Sequence, residues 1–479
     1  MYPPEKNRKP ALSPQAIETW PAASLPPQGE DKKARLANAL KEHGWMVPGQ
    51  TAGVHWAIGC VALEITQRCN LDCTLCYLSD LSEAVKDLPL EEVFRRIDLI
   101  HAHYGDGTNV QVTGGDPTLR NPKELEAIVA RIAAKNMRPA LFTNGIKATR
   151  SLLMQLRGAG LKDVAFHIDM TQQRKGYESE SALNTLREAY ITRADGLGLH
   201  ILFNTTVFDG NVEDVPMLAR FFAQRAHQVH LASFQMQADT GRGVLRQRGK
   251  AITQDRIIQA ISDGANHNLS FDSPVVGHSE CNRYAGLIAS GGLTAPIFDD
   301  DTLFADLFAA GASVQFDRYK PLTSILAGTK LFAQNIPLTW RALRYAMRKA
   351  WALKRGLLRS GGRLHKLTFY IHNFMDAQQL DKERCETCIF MTMTRDGPIS
   401  MCVHNAKRDS FLSQEIKTAA GRWSPREEAR SAQPIKRLKG RRRAAFLQDQ
   451  SALLPRHGKA SQHHESYGDI AKARVRHSR

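Results

Sequence analysis

Three cysteines crowd into "ITQRCNLDCTLCYLSD" (65–80): Cys69, Cys73 and Cys76. The chain has only 8 cysteines in 479 residues, so the crowding needs a reason. At CxxxCxxC spacing on a loop, three thiolates can grip one face of a metal centre. A structural zinc closes a tetrahedron with four ligands, and the next residues, "YLSDLSEAV", supply neither cysteine nor histidine. A 4Fe–4S cluster also has four ligand positions, and three cysteines leave one iron open to a substrate or cofactor. Zinc completed by a distant ligand is the alternative. A second set follows later: Cys281 in "HSEC", Cys385 and Cys388 in "CETC", and Cys402 in "PISMC", after an Asp396-Gly397 turn. Four thiolates suit zinc and iron–sulfur clusters alike. His278 and His404 flank this set; either could be a ligand, but both are expected to be satisfied surface histidines. Cys60 reads as a small buried residue.

A second motif, "VTGGDPTLR" (112–120), places Gly114, Gly115, Asp116 and Pro117 together. Paired glycines let a backbone approach a ligand closely, and the proline sets the turn. Further polar groups end apolar runs: Thr143 and Asn144 in "FTNG", His167 and Asp169 in "FHID", Asn204 and Thr206 in "FNTT", and Ser233 and Gln235 in "ASFQ".

These residues need elements to hold them. Short β-rich runs recur at 61–66, 109–113, 139–143, 164–168, 200–207 and 229–234. Leu90, Val93, Phe94, Ile97 and Ile100 repeat at helical spacing between the first two, and Leu125, Ile128, Val129 and Ile132 after the second. Strands alternating with amphipathic helices imply parallel βαβ units. Six such units suit a curved, barrel-like α/β sheet, whose chemistry gathers at the C-terminal strand ends. The first two runs each end directly in a motif. Residues 1–55 read as an extension broken by Pro21, Pro26 and Pro27, with one short helix in "DKKARLANALKEHG". The alternation fades after about 265, and from 411 the chain is polar, basic and low in aromatics, which reads as a disordered tail.

"CNLDCTLCY" resembles the signature of the radical S-adenosylmethionine (SAM) superfamily, including the aromatic Tyr77 after the last cysteine. The resemblance implies a 4Fe–4S cluster on Cys69, Cys73 and Cys76 whose open iron takes the amino and carboxylate groups of SAM. One electron then cleaves SAM to methionine and a 5′-deoxyadenosyl radical, which takes a hydrogen atom from an unactivated C–H bond. The protein's part is to position the cofactor and exclude side reactions. "GGDP" is similar to the family's Gly-Gly-Glu-Pro motif for the SAM amino group, with Asp116 one methylene shorter. Tyr77, Thr143, Asn144, Asp169, Asn204, Thr206 and Gln235 fall where family members contact SAM or substrate. Cys281, Cys385, Cys388 and Cys402 match the order of an auxiliary 4Fe–4S cluster. The implied architecture is a partial TIM-type (β/α)6 barrel at 56–265, an auxiliary cluster and substrate domain at 266–410, and a basic tail at 411–479. "SFQMQADTGRG" and "GHSECNRY" (277–284) are similar to relatives of tetraether lipid synthases and pterin methyltransferases. An electron donor such as flavodoxin or ferredoxin is implied as a partner.

The net charge is +17, much of it beyond residue 340, which suits an anionic partner. The N-terminus is charged and proline-rich without an apolar signal core. No run of 18 apolar residues occurs, so a cytoplasmic location is expected, with peripheral contact at the inner membrane surface. In "LTWRALRYAMRKAWALKRGLL" (338–358), Trp340, Leu343, Met347, Ala350, Trp351 and Leu357 share one face, and Arg341, Arg344, Arg348 and Arg355 another. Such a segment can lie at a membrane surface, with a lipid or other hydrophobic molecule as substrate. The preferred, blander reading is a helix packed on the barrel with a solvated basic face. The competing functions are a radical SAM enzyme modifying RNA or a small molecule, and a zinc-containing nucleic-acid-binding protein whose affinity falls with salt. No recognisable nucleic-acid module supports the last.

Overall fold

The structure is a computed structural model that describes residues 11–242, 249–314, 321–419 and 421–425. Two short helices, α1 (Pro14–Glu18) and α2 (Lys32–Glu42), precede the first strand, where the sequence led us to expect one. Six βα units follow: β1 (Cys60–Thr66) and α3 (Leu90–Tyr104), β2 (Asn109–Gly114) and α4 (Pro122–Ala134), β3 (Arg138–Thr143) and α5 (Arg150–Gly158), β4 (Asp163–His167) and α6 (Leu183–Ala194), β5 (His200–Val207) and α7 (Val215–Gln224), then β6 (Val229–Met236) and α8 (Gln254–Ala265). The helices begin where local chemistry starts them. Asn121, for example, accepts the Lys123 N–H ahead of Pro122 at the first turn of α4. Leu125, Ile128, Val129 and Ile132 of that helix are buried against the sheet. All of β1 is buried, as expected for a parallel strand covered on both faces.

The remaining strands complete the same sheet. They are β7 (Asn282–Ser290), β8 (Leu293–Pro296), β9 (His365–Asn373), β10 (Phe390–Met393) and β11 (Pro398–Ser400). The order is β11-β10-β1-β2-β3-β4-β5-β6-β9-β7-β8. β10 pairs parallel with β1, with Cys60 opposite Phe390, and β9 pairs parallel with β6, with Gln235 opposite His372. Eight adjacent strands are therefore parallel. The outer two of these meet through side chains, since the Phe390 ring lies 4.3 Å from His372 and 6.1 Å from Tyr370. The region expected as a separate auxiliary domain thus supplies the two strands that bring the partial barrel round on itself.

A parallel barrel is normally filled by bulky branched side chains. Here Ala62, Ala140 and Ala165 are among the residues facing inward, and the barrel encloses a cavity of about 1970 Å³.

The N-terminal extension is part of the fold. Leu36 and Leu40 of α2 join the main core, and Ile17 of α1 joins a second cluster with Met375, Leu380, Cys385 and Cys402. The first turns of the expected tail are also ordered. After α13 (Lys382–Glu386) and α14 (Met401–Ala406), α15 (Arg408–Leu412) leads to a hairpin of β12 (Ile416–Thr418) and β13 (Gly421–Trp423). Lys407 ties this end to the extension by donating to the Glu18 and Trp20 carbonyls, at 2.8 and 2.9 Å. The rest of the expected tail, 426–479, lies outside the described residues.

The basic amphipathic segment differs from the packed-helix expectation. Four helices follow β8: α9 (Asp301–Ala310), α10 (Pro321–Gln334), α11 (Ile336–Ala352) and α12 (Lys354–Ser360). On α11 the inward residues are Leu338, Tyr345 and Lys349, while Trp340 is 61% and Trp351 71% exposed, with Leu343 and Met347 exposed between them. Ion pairs explain the inversion. Lys349 and Arg348 reach Asp299 at 2.6 and 3.1 Å, and Arg341 pairs with Asp306. The polar side holds the helix and the apolar stripe faces out.

Candidate active site

The loop carrying Cys69, Cys73 and Cys76 leaves the C-terminal end of β1, and all three thiols line the barrel cavity. The loop is tied down on every side. Gly115 N–H donates to the Thr66 carbonyl and Asp116 N–H to the Arg68 carbonyl, both at 2.8 Å. Thr74 N–H donates to the Thr171 carbonyl at 2.8 Å, and Arg242 N–H to the Leu78 carbonyl at 2.9 Å. Asn144 Nδ2 donates to Asn70 Oδ1 at 2.6 Å and lies 3.8 Å from Cys69 Sγ. Tyr77 donates its hydroxyl to the Gly114 carbonyl at 2.5 Å, bridging the cysteine loop to β2.

The two glycines of "GGDP" have a structural requirement that the sequence did not announce. A Cβ on Gly114 would stand 2.0 Å from the Thr66 carbonyl oxygen, and one on Gly115 2.0 Å from that of Arg68. Close approach to the root of the cysteine loop demands glycine here, and both residues still line the cavity. Asp116 departs from the expected role. It is fully buried, and its carboxylate accepts from Thr118 N–H (3.0 Å), Thr143 Oγ1 (2.9 Å) and Asn144 N–H (2.9 Å). The side chain fixes the end of β3 rather than facing the cavity, so any contact to a ligand falls to the motif's backbone. Pro117 is buried at the start of a short 3-10 turn.

The other strand ends divide into two groups. Thr143, Asn144, Asn204, Thr206 and Gln235 line the cavity, as does His167. Asp169 is fully buried behind them. It accepts from Thr206 N–H (2.7 Å) and Thr171 N–H (2.9 Å), and lies 2.7 Å from His167 Nε2. Burial pushes its carboxyl up, but the His167 charge and these hydrogen bonds outweigh that and hold it at about 2. Asp169 therefore orients His167 and β5 instead of meeting a ligand directly.

The residues fit a cluster held by three thiolates. Burial raises the Cys73 thiol well above its ordinary value, and the neighbouring Cys76, Asp169 and Cys69 charges add to it. Burial likewise raises Cys69, with Asp116 and Cys76 contributing. The three sulfurs feel one another, and bound metal would replace their protons. Among the described residues no three such ligands converge as they would on a single ion. A four-iron cluster takes one thiolate per iron and spreads them apart.

Cys281 precedes β7, Cys385 lies on α13, Cys388 just after it and Cys402 in the first turn of α14. Cys281, Cys388 and Cys402 line one small pocket. Burial raises the Cys385 thiol far above normal, and Cys402, Cys388 and Cys281 push it further. Cys402 is raised to about 12, by burial first and then by Cys388. Arg384 Nε donates to Cys281 Sγ at 3.1 Å, and Met375 N–H to Cys402 Sγ at 3.5 Å. A guanidinium and a backbone N–H aimed at sulfur favour thiolates. His372, Phe374, Ile389, Phe390 and Met401 line both this pocket and the large cavity, forming the wall between them. The His278 ring packs tilted against Trp45 at 3.7 Å and its Nδ1 accepts the Glu280 N–H. His404 stacks on Phe411 at 4.9 Å, and both histidines are buried rather than on the surface as expected, because aromatic side chains cover them. Cys60 is buried at the start of β1.

Sequence reasoning missed Glu64 and Arg408. Glu64 lines the cavity below the cysteine loop, and Arg408 grips it with bonds of 2.8 and 2.7 Å while its guanidinium lies 4.7 Å over the Tyr77 ring. Arg408 follows α14, whose first turn holds Cys402, so one buried cation connects the two cysteine sets. A lone charge in β1 and a basic residue 344 positions later carry no joint pattern in sequence.

Residues 63–222 match the Radical SAM superfamily. Similar curated proteins include Fe-coproporphyrin III synthase of Methanosarcina barkeri, 28% identical over 33% of this chain and 39% of that protein. PqqA peptide cyclase of Xanthomonas campestris is 28% identical over 36% and 46%. GTP 3′,8-cyclase of Corynebacterium glutamicum is 30% identical over 42% and 55%. The chain spans about half the length of these relatives, or less. Among solved structures, methylornithine synthase aligns with a TM-score of 0.34 at 14% identity, over 53% of this chain and 76% of that one.

Proposed function

This chain carries a radical SAM domain, the catalytic unit of an enzyme superfamily, and from that premise we propose the reaction it performs. A 4Fe–4S cluster on Cys69, Cys73 and Cys76 supplies, when bound, the electron that cleaves SAM to methionine and a 5′-deoxyadenosyl radical able to take hydrogen from an unactivated C–H bond. The observation that carries this reading is the joint placement of the three thiols, the Gly114–Gly115 edge and the polar strand ends around one hollow barrel. Gly114 and Gly115 present backbone groups beside the cysteine loop for the amino end of SAM. Asn144, Asn204, Thr206 and Gln235 offer hydrogen bonds to its polar parts. Asp169 holds His167 toward the cavity at a fixed angle.

Cys281, Cys385, Cys388 and Cys402 are proposed to hold an auxiliary 4Fe–4S cluster, and a flavodoxin or ferredoxin to deliver electrons. The substrate is proposed to be hydrophobic or membrane-derived. Supporting this, the outward stripe Trp340, Leu343, Met347 and Trp351 is bordered by Arg344, Lys354 and Arg355. Apolar burial and attraction to anionic lipid would act on it together. No helix of the described residues is long and apolar enough to cross a membrane, so the contact would be peripheral.

Anaerobic reconstitution tests the reaction. Full-length protein is expected to take up about seven to eight iron atoms and, after reduction with SAM, to release 5′-deoxyadenosine. Iron-loaded protein that yields none refutes the proposal. Zinc without iron or labile sulfide after anaerobic purification would favour the nucleic-acid-binding alternative.

A further inference from the structure

The reacting end of the cavity does not account for its base. Lys366 and Thr368 of β9 and Tyr284 of β7 line the cavity there. Lys366 Nζ donates to the Tyr284 hydroxyl at 3.0 Å, and that hydroxyl lies 3.1 Å from Thr368 Oγ1. Among the described residues no carboxylate pairs with Lys366. Lys366 is solvent-exposed at this mouth of the cavity, and the adjacent Tyr284 oxygen raises its ammonium above the ordinary lysine value. An apolar wall faces this cluster. The Phe298 ring is 5.8 Å from Tyr284 and 4.9 Å from Phe304, and Phe308 and Trp56 extend the lining. An ammonium, a phenol and a hydroxyl beside an aromatic surface fit an anionic group joined to an apolar body.

We infer that Lys366, Tyr284 and Thr368 form the anion-binding end of the substrate site, and that the substrate is an elongated anionic amphiphile. The inference rests on the reaction proposed above and names its substrate class. Length follows from position. Lys366 precedes His372 on β9 by six residues, about 20 Å of extended strand. His372 stands at the C-terminal end of the barrel, opposite Gln235 of the proposed SAM site. A molecule anchored on Lys366 reaches that end only if it is long, and Ala62, Ala140 and Ala165 help leave the barrel open for it. A carboxylate and a phosphate monoester share the chemistry required.

The test is calorimetric titration of the reconstituted full-length protein with decanoate and decyl phosphate, each below its micelle concentration, and with decanol below its solubility limit. At least one anion is expected to bind about tenfold tighter than decanol, the factor one charge-assisted hydrogen bond supplies. Which anion gains identifies carboxylate or phosphate. In Lys366→Met the advantage is expected to vanish. Should that variant not fold, Lys366→Gln removes the charge at similar length. Equal binding of decanol and both anions to the unaltered protein overturns the inference. So does an anion advantage that survives loss of the Lys366 charge, because it would belong to another cation, such as Arg138 or Lys162 of the same cavity. Release of 5′-deoxyadenosine by the unaltered protein is measured separately. Its absence refutes the reaction, whereas release without anion preference refutes only the substrate class.

Discussion

Arg408→Met is the most informative single perturbation of the fold around the site. Glu64 is 7% and Arg408 3% exposed, so the pair is removed from water. Glu64 also accepts from Gln67 Nε2 at 2.8 Å. Burial pushes the Glu64 carboxyl up, yet the Arg408 and His404 charges and the hydrogen bonds from Arg408 and Gln67 hold it at about 2. Against an unfolded glutamate near 4.3, that difference corresponds to roughly 3 kcal/mol of stability. Because the folded value is depressed, this contribution is full above about pH 4.3 and is lost as pH falls toward 2. Methionine fills the space of the arginine stem but leaves Glu64 buried and unpaired, which costs about 3–5 kcal/mol. The cost should be largest near pH 7 and shrink toward pH 4, where the stranded carboxyl can take a proton. Adding Glu64→Gln should restore most of the loss. The assay is urea denaturation of the metal-free protein, followed by circular dichroism at both pH values. A loss below about 0.5 kcal/mol, the range of ordinary surface substitutions, or one independent of pH, would refute the argument.

Gly115→Ala sets a Cβ against the Arg68 carbonyl and should cost about 1–3 kcal/mol while reducing iron bound after reconstitution; normal loading would show that the close approach is not required. Asp116→Ala strands Thr143 and the Asn144 N–H, and is expected to destabilise by about 2–4 kcal/mol in denaturant titration even without SAM. An unchanged midpoint would return Asp116 to a purely ligand-binding role. Trp340→Ser, Trp351→Ser and Arg344→Glu together should release the protein from anionic vesicles in a flotation assay and leave iron content unchanged. Arg348 is spared because it anchors α11 through Asp299. Unaltered protein that ignores such vesicles at moderate salt removes the membrane contact from the proposal.

Much of the core was legible because its signals are local. The six β-rich runs match β1 to β6 within about two residues at each end, since alternating strands and amphipathic helices leave periodic apolar patterns. The "CETC" spacing and the two outlying cysteines marked a four-thiol group, and in the structure Cys402, Cys388 and Cys281 lie near enough to raise the Cys385 thiol. What stayed hidden depends on pairings distant in sequence. Nothing in "FMTM" (390–393) or "HKLTFYIHN" (365–373) says that β10 and β9 flank β1 and β6, because a parallel strand can join an edge from anywhere in the chain. The inward turn of Asp116 depends on where Thr143 and Asn144 fall. The apolar stripe Trp340, Leu343, Met347 and Trp351 of α11 was legible, but Leu357 falls on α12 beyond the break at Leu353, and the outward direction is decided by Asp299 and Asp306, which lie before the helix. Lys366 and Tyr284 stand 82 positions apart and meet only because β7 and β9 pair.

The central claim is that Cys69, Cys73 and Cys76 hold a cluster whose open iron takes SAM. Electron paramagnetic resonance of the reduced protein tests it most directly, using a variant with Cys281, Cys385, Cys388 and Cys402 all changed to alanine. With only the first set left, the account predicts a reduced 4Fe–4S signal that shifts when SAM is added, and no signal once Cys73→Ala is included. A signal that ignores SAM, or one that survives Cys73→Ala, would contradict it.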